Sequence, residues 1–241
     1  MRIPCPKCQF ELDASATECP RCGVVLAHFK PPELSETEER STPYTSTWKE
    51  WLFPEIMDSN PLYTGARAVT WCVLAYLSVR FMAAGVNGAY LGSSFLHLIN
   101  LPFHEAGHIF FRPFGTFVTS LGGSLGQLLV PLVCLAALVF KTRDAFGGAV
   151  CLWWFGQNFV DLAPYINDAR SLSLPLLGGN VGKNAPYGFH DWEFILKESG
   201  LLAYDHTLAK GAFAAGVMLM ALALLWGGIE IWRQYRDLRE M

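Results

Sequence analysis

Charge is scarce in this chain. Lys, Arg, Asp and Glu make up 16% of its 241 residues, against 52% hydrophobic residues. An average soluble domain carries about a quarter charged residues. The shortfall excludes an ordinary soluble globule and points to a polytopic membrane protein. Neither sign of charge dominates. The formal net charge is −3, which removes the electrostatic ground for expecting a nucleic-acid partner. No cleavable leader is expected, because Met1-Arg2-Ile3-Pro4 runs into a cysteine motif without an apolar h-region.

Cysteine is sparse and unevenly placed. Cys72, Cys134 and Cys151 stand singly in apolar runs and read as packing residues. The other four, Cys5, Cys8, Cys19 and Cys22, form two C-x2-C pairs. Two tight turns that each present two thiolates complete a tetrahedral site, so residues 1–30 are expected to form a zinc ribbon with a structural Zn²⁺. So small a unit has little core of its own, and metal binding should drive its folding. Disulfides are the alternative, and a cytosolic location disfavours them. Residues 31–60, rich in Pro, Ser, Thr and Glu, read as an acidic flexible linker. Trp48 and Trp51 suit a short interfacial segment before the bilayer.

Residues 61–241 read as an all-α membrane bundle with about five apolar spans. Length and hydropathy place these near 67–87, 91–111, 124–140, 145–166 and 208–232. Between the second and third, residues 113–126 carry Gly122-Gly123 and read as a connection or a short hairpin. Topology does not close on five full spans. The cysteine pairs favour a cytosolic start, while Arg233, Arg236 and Arg239 favour a cytosolic C-terminal flank. Either one span is re-entrant or broken, or the C-terminal charges are outvoted.

The second span holds His104-Glu105-Ala106-Gly107-His108. Two histidines four residues apart share one helix face, so both imidazoles can bind one Zn²⁺, with Glu105 placed to act as a base toward water. Ionisable groups at membrane depth are costly, roughly 2.5–3.5 kcal/mol each for Arg, Lys or Asp, which favours a functional reading over chance. A third ligand must come from elsewhere. Asn158, Asp161, Tyr165 and Asp168 share a face of the fourth span, and Pro164 is expected to kink or end that helix between the two aspartates. Asp168 is the preferred ligand. Otherwise it ends the helix in water and pairs with Arg170. His190 is the competitor, with Asp191 next to it; those two residues read equally well as the start of a helix. His97, two turns before His104, reads as packing or as support for the site.

The membrane H-E-x-x-H, followed by Asp161-Leu162-Ala163-Pro164-Tyr165-Ile166-Asn167-Asp168 on a later span, resembles the site-2 protease family of intramembrane zinc metalloproteases. The likeness covers residues 91–170. It keeps the family's proline and final aspartate, with Asp161 in place of the usual Asn and one residue fewer between Pro and Asp. The usual Leu-Asp-Gly ending is absent. The resemblance implies zinc ligation by His104, His108 and Asp168, with Glu105 as the base.

The sequence thus predicts a zinc-dependent endopeptidase that cleaves a membrane protein near the cytosolic face. The bilayer and a membrane substrate or partner subunit would be its partners. A non-catalytic scaffold with a vestigial metal site and a partner-docking ribbon is the alternative. A metal-transport role is weaker, because no repeated intramembrane Asp/Glu/His pathway is visible.

Overall fold

The computed structural model describes residues 2–7, 10–13, 15–28, 48–56, 60–86, 89–177 and 179–240. Cys8 and most of the expected linker lie outside them. Two compact units divide the chain, residues 1–45 and 46–241.

The first unit is built on a β-hairpin. Strand β1 (Arg2–Pro4) pairs antiparallel with β2 (Glu11–Asp13), with Ile3 opposite Leu12. Cys5 and Cys19 are buried with Leu12 in a core too small to stand alone, and Cys22 packs against them. Two tight turns present the sulfurs. The Cys5 amide bonds to the Phe10 carbonyl at 2.8 Å, and the Cys19 amide to the Val24 carbonyl at 2.9 Å. Gly23, at φ 68°, takes a left-handed conformation that side chains disfavour, and so closes the second turn.

The second unit is all-α. Its helices are α1 (Trp48–Leu52), α2 (Pro61–Ala84), α3 (Ala89–Gly92), α4 (Phe95–Phe111), α5 (Thr116–Ala136), α6 (Ala145–Asn167), α7 (Asp191–Glu198) and α8 (Asp205–Glu240). A π-helical turn, Ala137–Lys141, extends α5. The five expected spans fall on α2, α4, α5, α6 and α8. Among the described residues three helices, α2, α5 with its extension, and α8, are long and apolar enough to cross a membrane. The protein is therefore a polytopic membrane protein with an all-α membrane unit. Helix α4 has only 17 residues. Helix α6 has 23 but carries Gln157, Asn158 and Asp161, and it is the most enclosed helix of the bundle.

Small residues set the packing. Gly156 of α6 faces Gly216 of α8 so closely that a β-carbon on either would meet the other's backbone carbonyl, at 2.8 and 2.5 Å. Gly107 of α4 meets Gly122 of α5 in the same way. Small residues at such crossings let helix backbones pack by dispersion where lipid offers no hydrophobic drive. This explains a departure from the sequence reading. Residues 116–126 are helical, not a loop or hairpin, because tertiary contact through Gly122, Gly123 and Gly126 offsets the poor helix propensity of glycine. Helix α6 likewise runs through Pro164 and ends at Asp168.

The contacts fix the run of each helix. Arg67 of α2 pairs with Asp144 before α6 at 2.9 Å, and Trp71 donates to the Leu224 carbonyl of α8 at 2.7 Å. At the same end Trp226 of α8 donates to the Leu52 carbonyl of α1 at 2.9 Å, and Arg233 to the Pro54 carbonyl at 2.9 Å. At the other end Arg170 forks onto Asp205, at 2.8 and 2.7 Å, tying the end of α6 to the start of α8. Thus α2 and α6 run away from the α1 end, and α8 runs back. Helix α5 runs back as well, since its residue Val139 meets Gly148 and its Gln127 meets Asn158. Helix α4 is antiparallel to α5 and crosses α6 obliquely, His97 at its start meeting Asp161 and Phe103 further on meeting Trp154. Its approach begins where α2 finishes: Phe81 and Leu91 share one buried cluster with Trp153 and Val160.

Candidate metal centre

His104 and His108 lie one turn apart on α4, as helix geometry requires. Their rings are held edge to face, centroids 4.8 Å apart. Gly107 lies on the buried side of the same turns and lets α5 come close. Two partners then fix the imidazoles. His108 Nδ1 lies 2.8 Å from the Thr119 backbone carbonyl. A carbonyl can only accept, so this nitrogen carries the proton. His104 Nδ1 lies 2.8 Å from Gln127 Oε1.

A relay sets the direction of that second bond. The Trp154 carbonyl accepts from Asn158 Nδ2 at 2.9 Å. Asn158 Oδ1 is thereby left to accept from Gln127 Nε2 at 3.2 Å. Gln127 Oε1 must then accept, and His104 Nδ1 must donate. Gln127 and Asn158 are 4% and 0% exposed, so no solvent disturbs the order. Both histidines are left with a lone pair on Nε2, and hydrogen-bonded support of this kind is usual for metal-binding imidazoles.

The two lone pairs converge on one carboxylate oxygen. Asp191 Oδ2 lies 3.2 Å from His104 Nε2 and 3.3 Å from His108 Nε2. Three acceptors facing one another at this range repel unless a metal ion, or a proton shared between an imidazole and the carboxylate, sits among them. Ligand atoms at the corners of a tetrahedral zinc site with bonds of 2.0–2.1 Å would be about 3.3–3.4 Å apart. The observed spacing fits. Gly123 keeps the place open: a β-carbon there would collide with both Nε2 atoms. His104, His108 and Asp191 thus form a candidate metal-binding cluster. Glu105, half-buried, is the next position of α4 after His104.

The sulfurs of the first unit form a second candidate cluster, Cys5, Cys19 and Cys22. Cys5 and Cys22 are 3.7 Å apart, Sγ to Sγ. This is too long for a disulfide bond and close to the spacing of about 3.8 Å expected across a tetrahedral zinc with 2.3 Å bonds.

Asp168, the third ligand expected from sequence, does not stand beside the imidazoles. Its carboxylate accepts from the Ser171 hydroxyl, from the Ser173 amide and hydroxyl at 3.0 and 2.9 Å, and from the Leu174 amide at 2.9 Å. It caps the chain leaving α6 and lacks the free lone pairs a metal needs. It does not pair with Arg170 either, since Arg170 forks onto Asp205. His190, the competitor, is turned away as well. Its Nδ1 accepts from the Glu193 amide at 3.1 Å and caps α7, while its Nε2 lies 3.4 Å from Asp168 Oδ2. Burial lowers the pKa of this imidazole below its ordinary 6.5 and keeps it neutral, as the capping role requires.

The two expected ligands therefore face each other, and together they support Asp191, the first residue of α7. Tyr165 completes that support. Its hydroxyl accepts from the Asp191 amide at 3.0 Å and donates to Asp191 Oδ2 at 3.2 Å. Asn158 belongs to the relay behind His104. Asp161 pairs with His97 at 3.1 Å and accepts from Asn100 at 3.0 Å, in a separate polar cluster. Sequence reasoning missed Asp191, Gln127, Thr119 and Gly123 as parts of the centre. A lone Gln in the apolar run Leu125–Val133 was the one available signal. No family model matches this chain, and no curated protein or solved structure matches it either.

Proposed function

We propose that the protein is a zinc-dependent intramembrane endopeptidase. In this reading His104, His108 and Asp191 hold the metal and Glu105 is the base. Cys5, Cys8, Cys19 and Cys22 hold a second, structural zinc. The observation that carries the reading is the convergence of two oriented Nε2 lone pairs and one carboxylate beside Glu105. Two histidines and a carboxylate are a ligand set of hydrolytic zinc sites, whose metal polarises a carbonyl and makes water acidic. Glu105 takes a proton from water at the site and delivers it to the leaving amine. Gly123 leaves room beside the ligands for the reacting peptide, and Tyr165 holds Asp191 in register. The substrate is a membrane-protein segment unwound from its helix, because an intact helix hides its carbonyls in hydrogen bonds.

The resemblance to site-2 proteases supports the reading through His104, Glu105 and His108, with Asp191 taking the place that the family pattern gives to an aspartate on a later helix. The test compares membrane protein fragments in cells expressing wild type and Glu105→Gln, by mass spectrometry of new N-termini. New termini within or beside membrane spans should appear with wild type alone. Identical fragments from both would refute proteolysis at this centre and leave the scaffold reading in its place.

A further inference from the structure

We infer that the metal centre works on the side of the membrane opposite α1 and the last turns of α8, so that its substrates are membrane-protein segments exposed at the non-cytosolic face. The substrate half of this statement rests on the protease reading. The sidedness rests on the helix directions and on the placement of basic residues.

Helix α6 measures the distance between the two ends. Asp144 caps its start, at the end where Arg67, α1 and Arg233 meet. Asp168 closes its other end, beside the segment that carries Asp191. Its 23 residues rise about 34 Å, enough to cross a hydrocarbon core of about 30 Å. The centre gathers at the far end, through Tyr165, Asp191 and the Thr119 carbonyl near the start of α5.

The count of passages agrees. Helix α2 starts at the α1 end and α5 starts at the far end, so the stretch from α2 through α4 makes one net passage. Helices α5, α6 and α8 make three more. An even number puts α1 and the end of α8 on one side, which removes the conflict that five full spans create. Lys141 and Arg143 fill the short turn between α5 and α6 on that side, and Arg233, Arg236 and Arg239 end α8 there. Basic residues concentrated in short flanks mark the cytosolic face. On the other side Arg80, Arg112, Arg170, Lys183, Lys197 and Lys210 are spread over the end of α2, one turn, the long segment after α6 and the start of α8, against those five and Lys49 and Arg67 on the α1 side. By this assignment the centre lies at the face opposite the cytosolic one.

Site-specific protease cleavage tests this in the full-length protein. One variant carries a recognition sequence inserted at Leu177, 67% exposed in the segment after α6. A second carries it at Ala203, before α8, in case the first insertion misfolds. A third carries it after Met241. Each is digested in sealed right-side-out and inverted vesicles, with detergent-opened samples as the control for cleavability. The Leu177 and Ala203 sites should be cut only in right-side-out vesicles, and the C-terminal site only in inverted ones. Cutting of all three from the same side, or of the Leu177 site only in inverted vesicles, would overturn the inference. The readout needs no peptidase activity, so it fails or stands separately from the Glu105→Gln comparison.

Discussion

His104 and His108 stand on a helix pinned by backbone contact, whereas Asp191 stands beyond an irregular segment held by side chains. On the histidine side, Gly107 lies against Gly122, and Thr119 and Gln127 fix both rings. On the aspartate side, Tyr165, His190 and the hydrogen-bonded turn around Asp168 do the holding. The first half is preorganised by packing and the second by a polar latch. The difference implies that the histidine half is the stiffer of the two, with Asp191 Oδ2 already held 3.2 and 3.3 Å from the two Nε2 atoms by its latch.

The largest effect should come from the histidine half. His104→Ala is expected to abolish metal binding at this centre and all activity with it, read by zinc content of the purified protein. Glu105→Gln should keep the zinc and lose activity by about 10²–10⁴-fold, the usual worth of a general base. Loss of zinc in Glu105→Gln would mean that Glu105 belongs to the ligand set instead.

Loss of a hydrogen-bond partner behind a ligand should cost less. Gln127→Leu frees His104 Nδ1 and breaks the relay to Asn158, and Tyr165→Phe removes the bond to Asp191 Oδ2. Each is expected to weaken zinc binding by about 10–100-fold, read by competition with a chelator. If the histidine half is the stiffer, Tyr165→Phe should also raise hydrogen exchange in α7, while Gln127→Leu leaves exchange in α4 unchanged. Equal loosening of both helices would erase the contrast.

The smallest effect concerns the latch. Burial raises the Asp168 pKa, but four hydrogen bonds, led by the Ser171 hydroxyl, outweigh it and hold the group below its ordinary 3.8. A depressed carboxylate contributes stability that is present above its unfolded pKa and is lost as pH falls through the folded one. The Ser173 and Leu174 amides should therefore stay protected from exchange near about pH 5 and lose protection only in stronger acid. Asp168→Asn should lose part of that protection already at neutral pH.

The same contrast governs how much could be read beforehand. The H-E-x-x-H motif was legible because helix periodicity alone places His104 and His108 on one face. The clustering of Cys5, Cys19 and Cys22 was legible from the paired spacing, which turns present locally. Asp191 was hidden because its position depends on the path of the segment after α6, which no periodicity encodes. The proline pattern pointed to Asp168, and the loop hydrogen bonds that occupy its carboxylate leave no trace in sequence. Helix α5 was partly misread, since Gly122-Gly123 signals a turn by propensity and a helix crossing only in contact with α4. The membrane character followed from composition. The single net passage from α2 through α4 needed the contacts that fix the starts of α2 and α5.

Zinc content of the dialysed full-length protein tests the ligand set most directly, compared among wild type, Asp191→Ala and Asp168→Asn. The expected result is about two zinc ions per chain in wild type and in Asp168→Asn, and about one in Asp191→Ala, the cysteine-bound ion remaining. Two ions retained in Asp191→Ala, with one lost in Asp168→Asn, would contradict the centre described for His104, His108 and Asp191.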